Sequence, residues 1–307
     1  MAQIDFYVFF LKFMRMEKYY LKFEPLSKMF YVEDSVLQKF GKENKVPQFE
    51  LPEGAYAKLK CTLPADDAPV VGIMMDRAGN AYSATWKLVS ALAKTGAKIV
   101  FLTYQNCPEQ LQECKGLVLP GGVLKAFEQY DNKLDSNELR YLCRTAYKVC
   151  IRKALEQKIP LLGIGTGAQT VADNMGLKLY PCSEFIETPL HHDTKEPKAH
   201  RLNVFADTPL QSIFDGKNLF YVNSHHTALL APIRVQKESW AENNHIAVSD
   251  VQLPLDFYAE ASDGTPEAWG SEEKRILCVQ WHPEDMVADG DTDMLGIFQW
   301  LVDKIDK

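Results

Sequence analysis

No run in this chain is apolar and long enough to span a bilayer. Its most aromatic stretch, Phe6 to Leu11, is followed at once by Lys12, Arg15 and Lys18, whereas a span needs about 20 apolar residues. A small-residue cleavage site does not follow either, so a secretory leader is not expected. There is no cationic excess: 34 Lys and Arg stand against 41 Asp and Glu, a formal charge of -7. Such a surface has no cationic face to displace counterions from phosphates, and nucleic acid is excluded as the expected partner. The seven cysteines are odd in number and not closely paired. They make no disulfide framework and read as reduced thiols in a cytoplasmic setting. Repeats and low-complexity tracts are absent. What is there is ordinary globular composition, 46% hydrophobic and 24% charged over 307 residues. That length suits one large α/β domain, or one domain with an extension.

Residues 1–66 differ in texture from the rest. Ile4 to Phe13 is densely aromatic and fits neither the helical nor the strand period. Lys18 to Glu24 alternates, and Met29 to Val32 is expected to pair with it as a hairpin. Asp34 is placed to cap a short helix running to Phe40 and ended by Gly41. The segment reads as a layer added to a main domain over 67–307, and its aromatic surface is the candidate for a homodimer or protein partner.

From Pro69 the rhythm becomes βαβ. Strands are expected at Val70–Met74, Lys98–Thr103, Gly116–Leu119 and Ile159–Ile164. Helices are expected at Tyr82–Thr95, Glu109–Cys114, Ser136–Glu156 and Ala168–Met175. The last third mixes strands at His200–Phe205, Asn218–Val222, His245–Val248, Asp256–Ala261, Pro266–Gly270 and Ile276–Gln280, before a final helix at Asp293–Ile305. This alternation predicts an α/β fold, a mostly parallel sheet covered on both faces, with sites at the carboxyl ends of its strands.

Three loops there carry chemistry. Pro160 to Gly176 reads as strand, tight turn and helix, the elbow on which hydrolases mount a nucleophile. Its apex is Gly165, which has no side chain. Pro120-Gly121-Gly122 lets backbone approach a ligand and offers N–H donors to an oxyanion, or is simply a turn. Trp281-His282-Pro283-Glu284 closes a buried strand, and the i, i+2 spacing lets the carboxylate orient the imidazole as the base and orienter of a triad. Ser224-His225-His226 follows a strand, so at most one of the two histidines is expected to share a cleft with Ser224. Glu267, after the Asp263-Gly264 turn, reads equally as a solvated carboxylate or as a site residue. Cys278 lies on one strand face with Gln280 and His282, and a buried cysteine is most often inert packing. His191, His192, His200, His225 and His226 have no cysteine or carboxylate among them at ligand spacing, so no metal and no cofactor are expected.

In order, these motifs resemble the class I glutamine amidotransferase-like superfamily, specifically its γ-glutamyl hydrolase and γ-glutamyl-γ-aminobutyrate hydrolase branch, over roughly residues 69–303. The resemblance implies a three-layer, flavodoxin-like α/β fold. In that branch the elbow reads Leu-Gly-Ile-Cys-Arg-Gly-x-Gln, and its cysteine attacks a γ-glutamyl amide. Carried over by position, Gly165 stands at the nucleophile position, His282 is the base and Glu284 its orienter. Gly121 or Gly122 and the Thr166 N–H would supply the oxyanion donors, and Gln169, Ser224 and His226 would line the cleft. Thr166 replaces the usual Arg, and Val123 to Phe127 replaces the Asp-Val and Pro that ordinarily follow the paired glycines. The leading expectation is a protein that binds a small glutamyl-like ligand without hydrolysing it. The alternatives are hydrolysis through Thr166, Cys278 or an activated water, and an interaction module built on residues 1–66.

Overall fold

A computed structural model describes residues 21–25, 28–33, 49–78, 81–103, 106–121, 136–182 and 196–305. The architecture is α/β with a mostly parallel central sheet, as the alternation predicts. Two compact units divide the chain: Met1–Ile159 with Ile305–Lys307, and Pro160–Lys304.

In the first unit, β1 (Lys22–Glu24) and β2 (Met29–Glu33) form the expected antiparallel hairpin. A short helix, α1 (Glu53–Lys58), precedes β3 (Val70–Met74). β4 (Asp76–Ala78) and β5 (Ala81–Thr85) extend the hairpin sheet, in the order β1-β2-β5-β4. Here the expected helix Tyr82–Thr95 is corrected. Residues 81–85 are drawn into a ladder with β2, Met29 opposite Thr85 and Glu33 opposite Ala81. The helix α2 (Trp86–Ala93) starts only where Thr85 Oγ1 accepts the Leu88 N–H at 3.3 Å. β6 (Lys98–Leu102), α3 (Cys107–Gln110) and β7 (Gly116–Leu119) follow. β3 lies between β6 and β7 and is parallel to both. These strands are near-continuous Val, Ile and Leu, as burial on both faces requires. The long helix α4 (Ser136–Glu156) buries Tyr147, Cys150, Ile151 and Ala154, a stripe at helical spacing. Its Tyr147 hydroxyl donates to Asp76 at 2.6 Å. Cys150 is also disulfide-bonded to Cys107, with Cα atoms 6.7 Å apart. The expectation of uniformly reduced thiols is therefore corrected at this pair, which 43 residues of separation hid.

The second unit opens with β8 (Leu161–Ile164) and α5 (Thr166–Asn174), followed by β9 (Leu179–Pro181) and β10 (His200–Val204). Then come α6 (Pro209–Ile213), β11 (Leu219–Val222), β12 (Ala228–Leu230) and α7 (Ile233–Asn244). The chain ends through β13 (Asp256–Ala261), β14 (Pro266–Ser271), β15 (Ile276–Val279), α8 (Pro283–Ala288) and α9 (Leu295–Asp303). Its large sheet is ordered β11-β10-β13-β14-β15-β8. Only β15 with β8 is parallel within that set. Trp269, Trp281 and Phe298 are fully enclosed around it. The strand expected at His245–Val248 is corrected: His245 is the left-handed C-cap of α7, at φ 54°. Among the described residues, no helix is long and apolar enough to cross a membrane.

Candidate functional site

The elbow forms because β8 is pinned by its neighbour up to its last residue. Gly165 N–H donates to the Val279 carbonyl at 2.8 Å, the rung above Ile164 opposite Val279. The chain then reverses through Gly165 at φ 49°, ψ -116°. A residue with a Cβ holds such a conformation only at a cost of about 1–3 kcal/mol, so glycine leaves the turn unstrained. α5 starts at once, with Gln169 N–H donating to the Gly165 carbonyl. Beneath the apex, strand and helix touch so closely that a Cβ at Gly163 would lie 2.9 Å from Ala168 Cα and 3.0 Å from Cys278 Sγ.

The partner strand β15 delivers His282. Pro283 is the first residue of α8 and His282 its N-cap, which fixes the exit direction. The His282 Nδ1–H donates to Glu284 Oε1 at 2.8 Å. Glu284 is buried, whereas the His282 side chain keeps 15% of its surface exposed. Asn223 holds the same residue by its backbone: its Nδ2 donates to the His282 carbonyl at 2.9 Å and its Oδ1 accepts the His282 N–H at 2.8 Å. His282 is thus clamped along both main chain and side chain, as an imidazole needed in one orientation must be.

The segment after Asn223 splits its two histidines. His225 packs edge-on against His282, ring centres 5.6 Å apart, with its Nε2 3.9 Å from Asp285. His226 turns inward. Its Nδ1 lies 3.0 Å from the Ala228 carbonyl and its Nε2 lies 3.6 Å from Glu267 Oε1. His200, at the start of β10, reaches the same oxygen from 3.6 Å. Cys182 Sγ sits 3.7 Å from His226 Nδ1. Burial, then the Glu267 charge, pushes the Cys182 thiol up to about 11.

A family model described as Peptidase C26 matches residues 69–284, most of the chain and every motif above. The chain belongs to the Peptidase C26 family. A glutamine amidotransferase-like protein of Rickettsia prowazekii is 25% identical over 73% of this chain and 94% of its own length. One from Lactococcus lactis is 28% identical over 44% of this chain and half of its own. In fold, the chain is similar to the glutaminase domain of Trypanosoma brucei CTPS, solved with bound acivicin. The TM-score is 0.51 and the identity 13%, over 78% of this chain and 96% of that one.

Within this Peptidase C26 chain, the sequence-derived residues fall into three groups. Gly165, Thr166, His282 and Glu284 stand at the carboxyl ends of two adjacent parallel strands, β8 and β15. Gly121 is buried just past β7 in the first unit, and Gly122 lies outside the described residues, as do His191, His192 and Val123 to Phe127. Three others are buried. Gln169 Nε2 donates to the Ala228 carbonyl at 2.8 Å and to Gln280 Oε1 at 3.1 Å. Ser224 is fully buried. His226, expected to share the cleft of His282, is instead turned to Glu267, and His225 takes the place beside His282. Cys278 is corrected as a rescue nucleophile: it is enclosed under Gly163, and burial raises its thiol far above the ordinary range. Asn223 and Asp285 are contributors that the sequence reading did not single out, and His225, named there beside His226, proves to be the histidine next to His282. Glu267, left open between turn and site, proves wholly buried.

Proposed function

We propose that this chain is a Peptidase C26 protein of the γ-glutamyl hydrolase branch that binds a small glutamyl-like acid or amide without hydrolysing it. The apex of the elbow carries the reading. Gly165 occupies the turn where the resemblance puts a cysteine, while the base and orienter, His282 and Glu284, keep a 2.8 Å hydrogen bond at the end of the adjacent strand. Losing a nucleophile from a triad lowers turnover on the order of 10⁶-fold, which leaves binding and oxyanion donors behind. The first N–H groups of α5, Thr166 included, would face the ligand's carbonyl or carboxylate. Cys278 does not serve as a substitute thiol, because it is enclosed and burial holds it protonated.

Titration calorimetry with L-glutamine, γ-glutamyl dipeptides and γ-glutamyl-γ-aminobutyrate tests this reading, run beside an assay for released glutamate. Binding heat with no release above background is expected. Absence of heat with all of them removes the ligand. Glutamate release that vanishes in His282→Ala replaces the reading with hydrolysis through Thr166 or an activated water.

A further inference from the structure

A second group of buried titratable side chains shares no residue with His282 and Glu284, and the proposed function gives it no task. His200, His226 and Glu267 arrive from β10, from the loop before β12 and from β14. Their side chains are 1%, 5% and 0% exposed. One ligand atom from each lies within 4.8 Å of the others.

We propose that these three residues form a divalent-metal site suited to Zn²⁺, with a structural role. The first argument is distance. Both Nε2 atoms stand 3.6 Å from Glu267 Oε1, beyond an ordinary N–H···O hydrogen bond. Ligand atoms on arms of 2.0–2.2 Å around a tetrahedral Zn²⁺ stand about 3.3–3.6 Å apart, so the gap matches a shared ion. The second argument is proton placement. The Ala228 carbonyl, 3.0 Å from His226 Nδ1, accepts its proton. In the neutral ring the Nε2 lone pair then points toward the Glu267 carboxylate, so both atoms can bind one cation placed between them. Nδ1 bonded to a backbone carbonyl is also the usual outer contact of a zinc-bound histidine. The third is the donor set: two histidines with one carboxylate are ligands that zinc takes, the fourth position going to water or to Glu267 Oε2. Cys182 Sγ lies on the Nδ1 side of His226 and is not one of the three ligands.

The consequence reaches the candidate active site through the chain. His226 follows Asn223 by three residues, and Asn223 clamps the His282 backbone. A metal holding His226 against β10 and β14 fixes that segment. Sequence alone gave no such cluster because Glu267 and His200 lie far from His226 along the chain, and only strand pairing brings them together.

The test uses the full-length chain, expressed with zinc in the medium and dialysed into metal-free buffer. Elemental analysis is expected to find about one equivalent of Zn²⁺ per chain. It should be lost in Glu267→Gln and His200→Ala and kept in His245→Ala, which alters an exposed histidine. After chelation, Zn²⁺ at about 100 times its Kd should raise Tm by roughly 5–10 °C. If the variants do not fold, the metal-free wild type still decides: Co²⁺ should give the visible absorption of a four-coordinate ion, bleached by Zn²⁺. A wild-type chain with no metal, no Tm response and no Co²⁺ band overturns the proposal and leaves a shared proton in the gap. Metal retained in Glu267→Gln or His200→Ala overturns it as well. None of these outcomes depends on whether glutamyl compounds bind.

Discussion

Two carboxylate–histidine groups in the second unit are built from the same side chains and differ in distance and access to water. His282 and Glu284 are two residues apart, hydrogen-bonded at 2.8 Å, with the imidazole part-exposed at a strand end. Glu267 meets His200 and His226 at 3.6 Å, from separate strands and loops, with all three enclosed. The first arrangement leaves the far side of the imidazole directed away from its orienter, which is what proton transfer to a ligand requires. The second directs both Nε2 atoms onto one oxygen, which suits holding an ion and not moving a proton. Short local spacing makes an orienter; long-range convergence makes a clamp.

The largest expected effect tests whether the first group is still poised. Gly165→Cys puts a thiol at the apex, where α5 begins and β15 is the neighbouring strand. Modification by iodoacetamide at pH 6–7 is expected to become fast, because a helix N-terminus and an adjacent imidazole lower a thiol's pKa. Release of glutamate from a γ-glutamyl amide should rise by at least about 10²-fold over the wild type, against the roughly 10⁶-fold that a complete triad contributes. Both gains should vanish in the Gly165→Cys, His282→Ala double variant. A cysteine there that labels no faster than free thiol would show that base and apex do not face each other.

Next in size is a contrast between the two carboxylates. Glu267→Gln removes the charge from an enclosed cluster and is expected to cost about 3–5 kcal/mol in urea unfolding, the usual loss when one partner of a buried ionic group is removed. Glu284→Gln keeps an amide oxygen to accept from the part-exposed His282 imidazole and should cost only about 1–2 kcal/mol. Equal losses would erase the distinction between clamp and orienter.

The elbow itself supplies the third test. Gly163→Ala drives a Cβ to 2.9 Å from Ala168 Cα, a backbone atom that cannot swing away, and to 3.0 Å from Cys278 Sγ. Overpacking of this kind costs about 1–3 kcal/mol. Adding Cys278→Ala should recover part of the loss by emptying the sulfur's place, while the contact with Ala168 remains. Full recovery would mean that the helix, and the elbow with it, shifts more easily than the hydrogen bonds around Gly165 imply.

How legible all this was in the sequence depends on the range of each contact. The βαβ strands were plain because burial on both faces writes uninterrupted Val, Ile and Leu, as at Val70–Met74 and Leu161–Ile164. The His282–Glu284 pair was plain because its geometry needs only two residues of spacing. α7 went unseen because it buries mainly Gln236, Ser239 and Ala241, leaving almost no apolar period to read. β5 was mistaken for helix because its state is decided by β2, far away in the chain. The partition of His225 from His226 was half legible: extended backbone sends them to opposite sides, but only the position of Glu267 decides which goes in.

The last test concerns the link between the two groups. Asn223 makes two hydrogen bonds to the backbone of His282, donating to its carbonyl and accepting from its N–H. Asn223→Ala removes both, at about 1–3 kcal/mol for the backbone groups left bare. Asn223→Asp keeps the acceptor and loses the donor, so its cost should fall between wild type and Asn223→Ala. Stability alone does not separate positioning from packing. In the Gly165→Cys background, Asn223→Ala should slow iodoacetamide labelling at pH 6–7 while leaving the rate at pH 10 unchanged. At high pH the thiolate forms without help, and at neutral pH it depends on where His282 points. Equal slowing at both values would mean that Asn223 shapes access to the apex and not the orientation of the base.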